Sequence, residues 1–179
     1  MQYISVPQVR LVTRPSINWA AIADFLDSEG LPPIPDSIRS GDDESSAVVE
    51  ISARLCYMSY GRGRKDISDF INNLLSKGDG SVFEHVNYGF VISGISRSLT
   101  HELVRHRAGF AYSQRSQRYV DESESAFITP PALNENDSKT IKAADVMKSA
   151  MESSLSSYKK LVSELDKIIP DNIKIAPSK

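Results

Sequence analysis

The chain has 179 residues, a formal net charge of −2, 40% hydrophobic residues and 25% charged residues. This length predicts one domain with its own core, and the acidic balance argues against a nucleic-acid partner, because a dedicated duplex-binding protein usually presents a broad basic face. The single cysteine, Cys56, excludes an intrachain disulfide and fits a reducing compartment. No apolar run approaches the roughly 18 residues of a membrane span, and the first residues lack the regions of a signal peptide, so we expect a cytoplasmic protein without a membrane partner.

The first half of the chain mixes strands with amphipathic helices. Alternating apolar residues predict strands, and apolar residues spaced by three and four predict helices. A segment rich in proline, glycine, serine and aspartate predicts a surface loop. In chain order we predict a strand at 8–13, a helix from 16 or 18 to 30, a loop at 30–44, helices at 45–58 and 65–77, the second ended by Gly78, and a strand at 87–95.

The second half predicts a short helix at 96–106 and a long amphipathic helix at 138–168, capped by Asp137 or Ser138. An acidic turn at 121–124 and a short strand at 126–129 lie between them. Because strands and helices follow no regular βαβ order, the fold class is predicted to be α+β. The final residues add no closing element, and we expect a domain that is incomplete at its C-terminus.

Five apolar sets, one on each predicted helix, are expected to face the core. Two of them are Trp19, Ile22, Phe25 and Leu26 on the first helix, and Ile67, Phe70, Ile71, Leu74 and Leu75 on the helix at 65–77. Val48, Ile51 and Leu55 share a face of the helix at 45–58, and Cys56 is interpreted as packing beside that face. The other two sets are Ile95, Leu99 and Leu103 on the helix at 96–106, and Ala144, Met147, Met151, Leu155, Tyr158, Val162 and Leu165 on the long helix.

The most informative stretch is 105–119, which reads RHRAGFAYSQRSQRY. Five arginines lie between Arg97 and Arg118 against one acidic residue, Glu102, and no arginine follows Arg118. Such a local positive surplus in an acidic chain predicts a bound anion. Glu102 and Arg105, three residues apart, could instead form a solvated ion pair. If 105–107 is helical, Arg105 and Arg107 point about 200° apart and serve different ligand parts.

The segment 112–119 is predicted to be extended. With a period of two, Gln114, Ser116 and Arg118 share one face, where an amide, a hydroxyl and a guanidinium lie about 6 to 7 Å apart. This arrangement suits a phosphate and a base edge, and the alternative is a polar edge strand facing water. Ser116 lacks the surroundings of a serine nucleophile, because no G-x-S-x-G elbow encloses it.

A metal site is not expected. His101-Glu102 begins like a zinc-protease motif, but the next histidine, His106, lies five residues on. Five helical steps place these two histidines about 140° apart, so they cannot hold one metal from the same face.

Other polar residues have two interpretations each. His85 is either a hydrogen-bonded helix cap or a catalytic group. Arg54, on a predicted helix, and Arg62 with Arg64, in a glycine-bearing loop, either bind phosphates or face solvent.

The motif Arg105-His106-Arg107, followed by Ser116-Gln117-Arg118-Tyr119, resembles the signature of flavin-dependent thymidylate synthases. Upstream, FEH at 83–85 and RSLTHE at 97–102 are also similar to that family. The resemblance extends from about residue 53 to the long helix.

The resemblance implies methylation of dUMP to dTMP, with methylenetetrahydrofolate as carbon donor and NADPH-reduced FAD as hydride donor. It implies an α+β fold with an antiparallel sheet and long central helices, and sites built between subunits of a homotetramer. No catalytic nucleophile is implied. The implied cofactor-binding residues are Arg105, His106, Arg107, Gln114, His85 and Asn87, and the implied dUMP-binding residues are Glu102, Arg105, Gln114, Ser116, Arg118 and Tyr119.

Two departures from the family pattern matter. The gap between Arg107 and Ser116 is eight residues, one more than usual, so a bulge or a turn at Ala108-Gly109 must absorb the extra residue. Neither Ala108 nor Phe110 is therefore assigned as a ligand. The family also continues into a segment with a nucleotide-activating arginine, which this sequence lacks. The alternative function is an inactive or split-enzyme subunit that binds FAD and nucleotide but needs a second polypeptide for turnover.

Overall fold

The structure, a computed structural model, describes residues 2–39, 44–121, 124–133 and 138–170. The chain divides into two compact units, which we describe separately. The internal unit comprises residues 10–91, and the terminal unit comprises residues 1–9 and 92–179. The expectation of a single, C-terminally incomplete domain stays a prediction.

The described residues form four strands, five α-helices and three short 3-10 helices. This mixture of helices and small sheets is consistent with the predicted α+β class. The strands are β1 (Tyr3–Ile4), β2 (Gln8–Thr13), β3 (Gly89–Ser93) and β4 (Phe127–Ile128); the helices are α1 (Trp19–Ser28), α2 (Ser45–Tyr57), α3 (Ile67–Lys77), α4 (Arg97–Leu103) and α5 (Ser138–Ile168); the 3-10 helices are Asp36–Ile38, Ser81–His85 and Pro131–Leu133.

The strands form two small sheets, β1 with β4 and β2 with β3. The predicted strand at 8–13 is confirmed, whereas those at 87–95 and 126–129 are shorter than predicted. β1 and β4 run parallel, with Tyr3 opposite Phe127 and Ile4 opposite Ile128. The antiparallel expectation is therefore wrong for this sheet. A parallel pair needs a long connection, which the residues between β1 and β4 supply.

Side-chain caps and one glycine set the helix ends near the predicted positions. The side chains of Asn18, Asp66 and Ser96 each accept a hydrogen bond from a backbone N–H in the first turn of α1, α3 and α4. Gly78 ends α3 in the left-handed conformation, with φ 75°. α5 has the predicted bounds. Asp137, residues 40–43 of the predicted loop and residues 122–123 of the predicted acidic turn lie outside the described residues.

In the internal unit, α2 is covered on two sides. Ala47 and Ile51 belong to a cluster that includes Leu26, and Val49 and Ala53 pack with Leu74 in a second cluster. The predicted single face of α2 is therefore wrong in part. Ile51 is buried, but Leu55, in the last turn of the helix, is 45% exposed. Leu75 on α3, also predicted to face the core, is 59% exposed, so that prediction is wrong. Cys56 is also exposed, so its interpretation as packing is wrong.

In the terminal unit, the predicted apolar seams are only partly covered. Leu99 on α4 is 50% exposed, so the predicted buried seam of that helix is wrong. α4 has seven residues, about two turns, and its apolar stripe is correspondingly short. On α5, Ala144 is buried and Met151 is half-buried, whereas Leu165 near the other end is exposed. Within the described residues, cover over the predicted apolar face of α5 thus ends after Leu155, because Tyr158, Val162 and Leu165 are all exposed.

Candidate functional site

The Arg105-His106-Arg107 triplet lies just beyond α4. The helix ends at Leu103, three residues earlier than predicted, and the backbone N–H groups of Arg105 and His106 donate to the carbonyls three residues before them, at 3.2 and 3.1 Å. These bonds tighten the chain into a turn, as is common at helix ends. Because 105–107 is not helical, the angle of about 200° between Arg105 and Arg107 does not apply. The angle of about 140° between His101 and His106 does not apply either, since His106 lies beyond the helix. All three side chains of the triplet are exposed.

Glu102 and Arg105 form the ion pair that their spacing predicts. A carboxylate oxygen of Glu102 lies 3.6 Å from Nη1 of Arg105. The two side chains are 68% and 72% exposed, so water screens their attraction. Both groups remain accessible to a ligand.

A turn separates the triplet from the rest of the stretch. The N–H of Phe110 donates to the carbonyl of Arg107 at 3.1 Å, and Gly109 has φ 75°. A positive φ at the third position of a hydrogen-bonded four-residue turn is typical of type II and favours glycine. The turn expected at Ala108-Gly109 is therefore present, and its absorbing the extra residue stays a prediction. Beyond it, the rings of Phe110 and Tyr112 stack with centroids 6.0 Å apart.

Gln114 ties the loop to α4. With its carboxamide oxygen turned toward the helix, Gln114 accepts hydrogen bonds from Nη1 of Arg97 at 3.0 Å, from Nε of Arg97 at 3.3 Å and from the Thr100 hydroxyl. Arg97 also donates from Nη1 to the carbonyl of Arg115 at 2.9 Å. The amide NH₂ of Gln114 is then the part of the side chain that is left to meet a ligand.

Ser116, Arg118 and Tyr119 are held together by a turn. The predicted extended conformation of 112–119 is wrong at 117–119, which forms a turn, and 111–116 belongs to no helix or strand. Ser116 accepts at its side-chain oxygen from the N–H of Arg118 at 3.2 Å, and at its carbonyl from the N–H of Val120 at 3.1 Å. Serine competes for backbone donors in this way, which favours turns over strands. Ser116 and Arg118 are therefore neighbours in one turn, not members of one strand face.

The arginines of the stretch divide into two groups. Arg97 holds the loop as described, and Arg115 donates from Nη2 to the Ser125 hydroxyl at 2.9 Å. Arg105, Arg107 and Arg118 are exposed, and the Arg118 guanidinium lies 5.6 Å from the centre of the Tyr119 ring. The first group supports the loop, whereas the second offers charge to a ligand.

His85 and Asn87 belong to the internal unit. His85 is the exposed last residue of the 3-10 helix Ser81–His85. The amide nitrogen of Asn87 lies 3.5 Å from the carbonyls of Glu84 and His85, at the limit of hydrogen-bond distance. Among the described residues no partner contacts the His85 imidazole, so the helix-cap interpretation is not supported.

Arg54 is a structural residue that the sequence did not reveal. Its guanidinium is buried, lies 2.6 Å from a carboxylate oxygen of Glu50, and donates to the carbonyls of Ser59 at 3.1 Å and of Arg62 and Arg64 at 2.7 Å. Both predicted interpretations of Arg54, phosphate binding and solvent exposure, are wrong. Three carbonyls from one loop converging on a helical arginine leave no signal in local sequence.

Glu50 is the acidic partner in this buried pair. The residue is 1% exposed, and one of its carboxylate oxygens, Oε2, has no hydrogen-bond partner among the described residues. Burial raises the pKa of Glu50, and the hydrogen bond and charge of Arg54 oppose that shift only in part. Burying the two charged groups costs free energy, and removing one partner alone destabilises the fold because the other is left buried without a counter-charge.

Two further findings bear on the kind of site. The described part of the chain contains no group of three His, Cys, Asp or Glu side chains that could hold a metal ion. Over the same ranges, no helix combines the length and apolar character needed to span a bilayer.

Comparison with known proteins gives consistent matches. A model of the protein family Thy1, described as thymidylate synthase complementing protein, matches residues 39–177. Flavin-dependent thymidylate synthase of Mycobacterium avium (strain 104) is 35% identical over 153 residues, which cover 84% of this chain and 57% of that protein. The enzyme of Mycobacterium leprae (strain Br4923) is 37% identical over 142 residues, covering 78% and 54%, and that of Clostridium tetani (strain Massachusetts / E88) is 40% identical over 135 residues, covering 71% and 52%.

The chain spans about half the length of the curated relatives it matches. The family model, in contrast, covers well over half of this chain and includes the whole stretch from Arg97 to Tyr119. The family model and the relatives agree, and the chain belongs to the flavin-dependent thymidylate synthase family.

Proposed function

We propose that the whole protein methylates dUMP to dTMP, with methylenetetrahydrofolate as carbon donor and NADPH-reduced FAD as hydride donor. Family membership supports thymidylate synthesis in general. The observation that carries the proposal to this chain is the exposed set of Arg105, Arg107 and Arg118 on a loop fixed to α4. Exposed guanidinium groups on a held loop are suited to ligands that carry phosphate.

The donor chemistry of the triplet fits FAD. Arg105, His106 and Arg107 are consecutive, exposed and outside the helix, so their N–H donors are open to an anionic diphosphate. His85 and Asn87, which are exposed in the internal unit, are proposed as further cofactor contacts. Bound reduced flavin supplies the hydride, and the protein supplies binding and orientation.

The turn at 116–119 is proposed to hold dUMP. The Ser116 side-chain oxygen accepts from the N–H of Arg118, which leaves its own O–H free to donate to a phosphate oxygen. Arg118 can pair with the same phosphate through two parallel hydrogen bonds and neutralise its charge. Tyr119 and Glu102, both exposed, are proposed as the other nucleotide contacts, together with Arg105.

Gln114 is proposed to contact both ligands through its NH₂ group. Its carbonyl oxygen is fixed by Arg97 and Thr100, so the direction of the NH₂ is set before a ligand binds. Such preorganisation lowers the entropy cost of binding and orients the uracil. Ser116 is assigned to binding, since no described group stands beside it as a base.

A second candidate is an assembly in which this chain binds FAD and dUMP but a second polypeptide completes the site. The chain spans about half the length of the curated relatives it matches, so residues outside this stretch would complete the site. In either case we propose a homotetramer with sites between subunits, as the family resemblance implies.

Turnover and binding together separate the two candidates. The purified protein is expected to be yellow and to release tritium from carbon 5 of labelled dUMP when methylenetetrahydrofolate and NADPH are present. Calorimetry with dUMP and FAD is run in parallel. Binding of both without tritium release favours the second candidate. Folded protein that neither binds nor turns over would contradict both.

A further inference from the structure

A cleft in the internal unit collects positive charge outside the proposed site. It has a volume of about 380 Å³, within the roughly 300 to 1,000 Å³ typical of ligand pockets. The loop after α2 forms one wall and α3 forms the other. Its polar lining consists of Arg54, Ser59, Arg62, Arg64, Asn73 and Lys77.

The loop that carries Arg62 and Arg64 is fixed from inside. The buried Arg54 guanidinium holds the backbone carbonyls of both residues at 2.7 Å, which leaves their side chains exposed on the outside of the loop. Gly61 and Gly63, with φ 72° and 78°, give the backbone the left-handed conformation that this path requires. The two exposed guanidinium groups therefore extend from a backbone held by a buried side chain.

The charge of the cleft is not compensated. Glu50 balances Arg54, but in the described ranges no carboxylate forms a salt bridge with Arg62, Arg64 or Lys77. The nearest polar contact is from Nη2 of Arg64 to the side-chain oxygen of Asn73, at 3.5 Å. Three cations and one amide around one open cleft are a lining that attracts a multiply charged anion.

The chemistry of the lining selects a class of ligand. Two guanidinium groups and an ammonium group match the oxygens of a phosphate monoester or a diphosphate, whose two or more negative charges exceed those of a single carboxylate. The ring of Phe70, which lies 4.6 Å under the Arg54 guanidinium, adds an apolar surface to the same cleft.

We propose that this cleft is a second anion site, which binds the phosphate monoester or diphosphate group of a small ligand through Arg62, Arg64 and Lys77. It shares no residue with the 105–119 stretch. The proposal does not depend on the proposed function, because it uses the geometry of residues 54–77 alone.

Inorganic pyrophosphate is titrated calorimetrically into the full chain with excess FAD and dUMP present, so that the proposed ligands occupy the 105–119 stretch and the heat reports on the cleft. Replacing both Arg62 and Arg64 by alanine is expected to weaken pyrophosphate at least about tenfold, the loss of one or more charge-assisted hydrogen bonds. Arg39→Ala removes an exposed arginine of the same unit outside the cleft, and it should leave the affinity within about twofold of the wild-type value. Arg118→Lys should also retain this binding, which separates the cleft from the proposed dUMP site.

Wild-type protein that binds no pyrophosphate, or a double variant that binds it as the wild type does, would overturn the proposal. Arg54 uses only backbone carbonyls of the loop, so the double variant should fold, and circular dichroism verifies this. If it does not fold, Lys77→Ala gives the same comparison on α3, with loss expected and unchanged affinity contradicting the site.

A comparison of NADP⁺ with NAD⁺ identifies the source of the phosphate. These two dinucleotides differ by one phosphate monoester. Tighter binding of NADP⁺ that disappears in the double variant supports the site and assigns it to a nucleotide ligand. If NADP⁺ and NAD⁺ bind equally well while the affinity for pyrophosphate still depends on Arg62 and Arg64, the site is supported and is assigned to free pyrophosphate or phosphate.

Discussion

The chain has two arginine-rich loops, each following a helix, and they use arginine in opposite ways. The loop after α2 is held by the buried Arg54 of that helix, which donates to three backbone carbonyls of the loop and to the Glu50 carboxylate. In the loop after α4, Arg105, Arg107 and Arg118 are exposed, and Arg97 supports the backbone with only part of its donors. The same residue type thus stabilises a fold or offers charge to a ligand, depending on where its donors lie.

In both loops, one set of side chains fixes the loop by hydrogen bonds and another set presents exposed charge. Arg54 supports the loop that presents Arg62 and Arg64, and Gln114 with Arg97 supports the loop that presents Arg118. A supporting residue should affect stability when it is replaced, and a presenting residue should affect binding. The following substitutions test that division.

Arg54→Ala should give the largest loss in the free energy of unfolding. It leaves Glu50 buried without its cation and frees three carbonyls, and breaking a buried pair in this way typically costs about 3 to 5 kcal/mol. The free energy of unfolding in urea can be followed by the fluorescence of Trp19, the single tryptophan, which lies in the same unit. Arg62→Ala, which removes an exposed guanidinium of the same loop and keeps the backbone carbonyl that Arg54 binds, is the control. A loss no greater than the control would show that Arg54 does not hold the loop.

Gln114→Ala should lower the free energy of unfolding by about 1 kcal/mol, the net contribution of a typical hydrogen bond. The reason is that the loop loses its side-chain contact with α4. Faster hydrogen exchange of the backbone amides from 115 to 120 should accompany the loss. Gln117→Ala, in the same loop, serves as the matched control, since its exposed side chain makes no hydrogen bond within the described residues. Equal exchange in the two variants would contradict the supporting role of Gln114.

Glu50→Gln should change the pH dependence of the unfolding free energy, by less than the losses expected for Arg54→Ala and Gln114→Ala. Burial raises the pKa of Glu50 above its ordinary value of 4.5, so the folded protein binds this proton more tightly than the unfolded chain does. The contribution of Glu50 to stability is therefore full below pH 4.5 and declines as pH rises through the folded-state pKa. The unfolding free energy of the wild type minus that of Glu50→Gln should decrease from pH 4 upward. Glu29→Gln, at an exposed site, is the control, and an increase for Glu50 would reverse the assigned sign.

Glu102→Gln should have the smallest effect on stability, about 0.2 to 1 kcal/mol, because both partners of its ion pair are exposed. The difference in thermal midpoint from the wild type should shrink further at high salt, where the attraction is screened. A large, salt-independent loss would indicate a supporting role that the structure does not give to Glu102.

Local signals predicted most of the secondary structure. The bounds of α5 and the stop of α3 at Gly78 follow from apolar spacing and from a residue that tolerates positive φ, and both are properties of neighbouring residues. The turn at Ala108-Gly109 was one of two alternatives suggested by the eight-residue gap between Arg107 and Ser116, and it is present. The motif at 105–119 identified the family, because its residue types and spacing are specific.

Interactions between distant parts of the chain were not predictable in the same way. The burial of Arg54 depends on carbonyls five to ten residues away, and periodicity carries no information on where carbonyls point. Leu99 has the spacing of a core residue but is exposed, because exposure depends on what covers a helix. The turn at Ser116 replaced the expected strand through a side-chain hydrogen bond to the backbone.

The assignment of two ligands to one stretch is tested most directly by calorimetry of FAD and dUMP binding to two matched variants, Arg107→Lys and Arg118→Lys. Each keeps the charge and removes the planar guanidinium. We predict that Arg118→Lys weakens dUMP by about tenfold and FAD much less, and that Arg107→Lys does the reverse. Equal losses of both ligands in both variants would contradict the separation of a flavin-binding triplet from a nucleotide-binding turn.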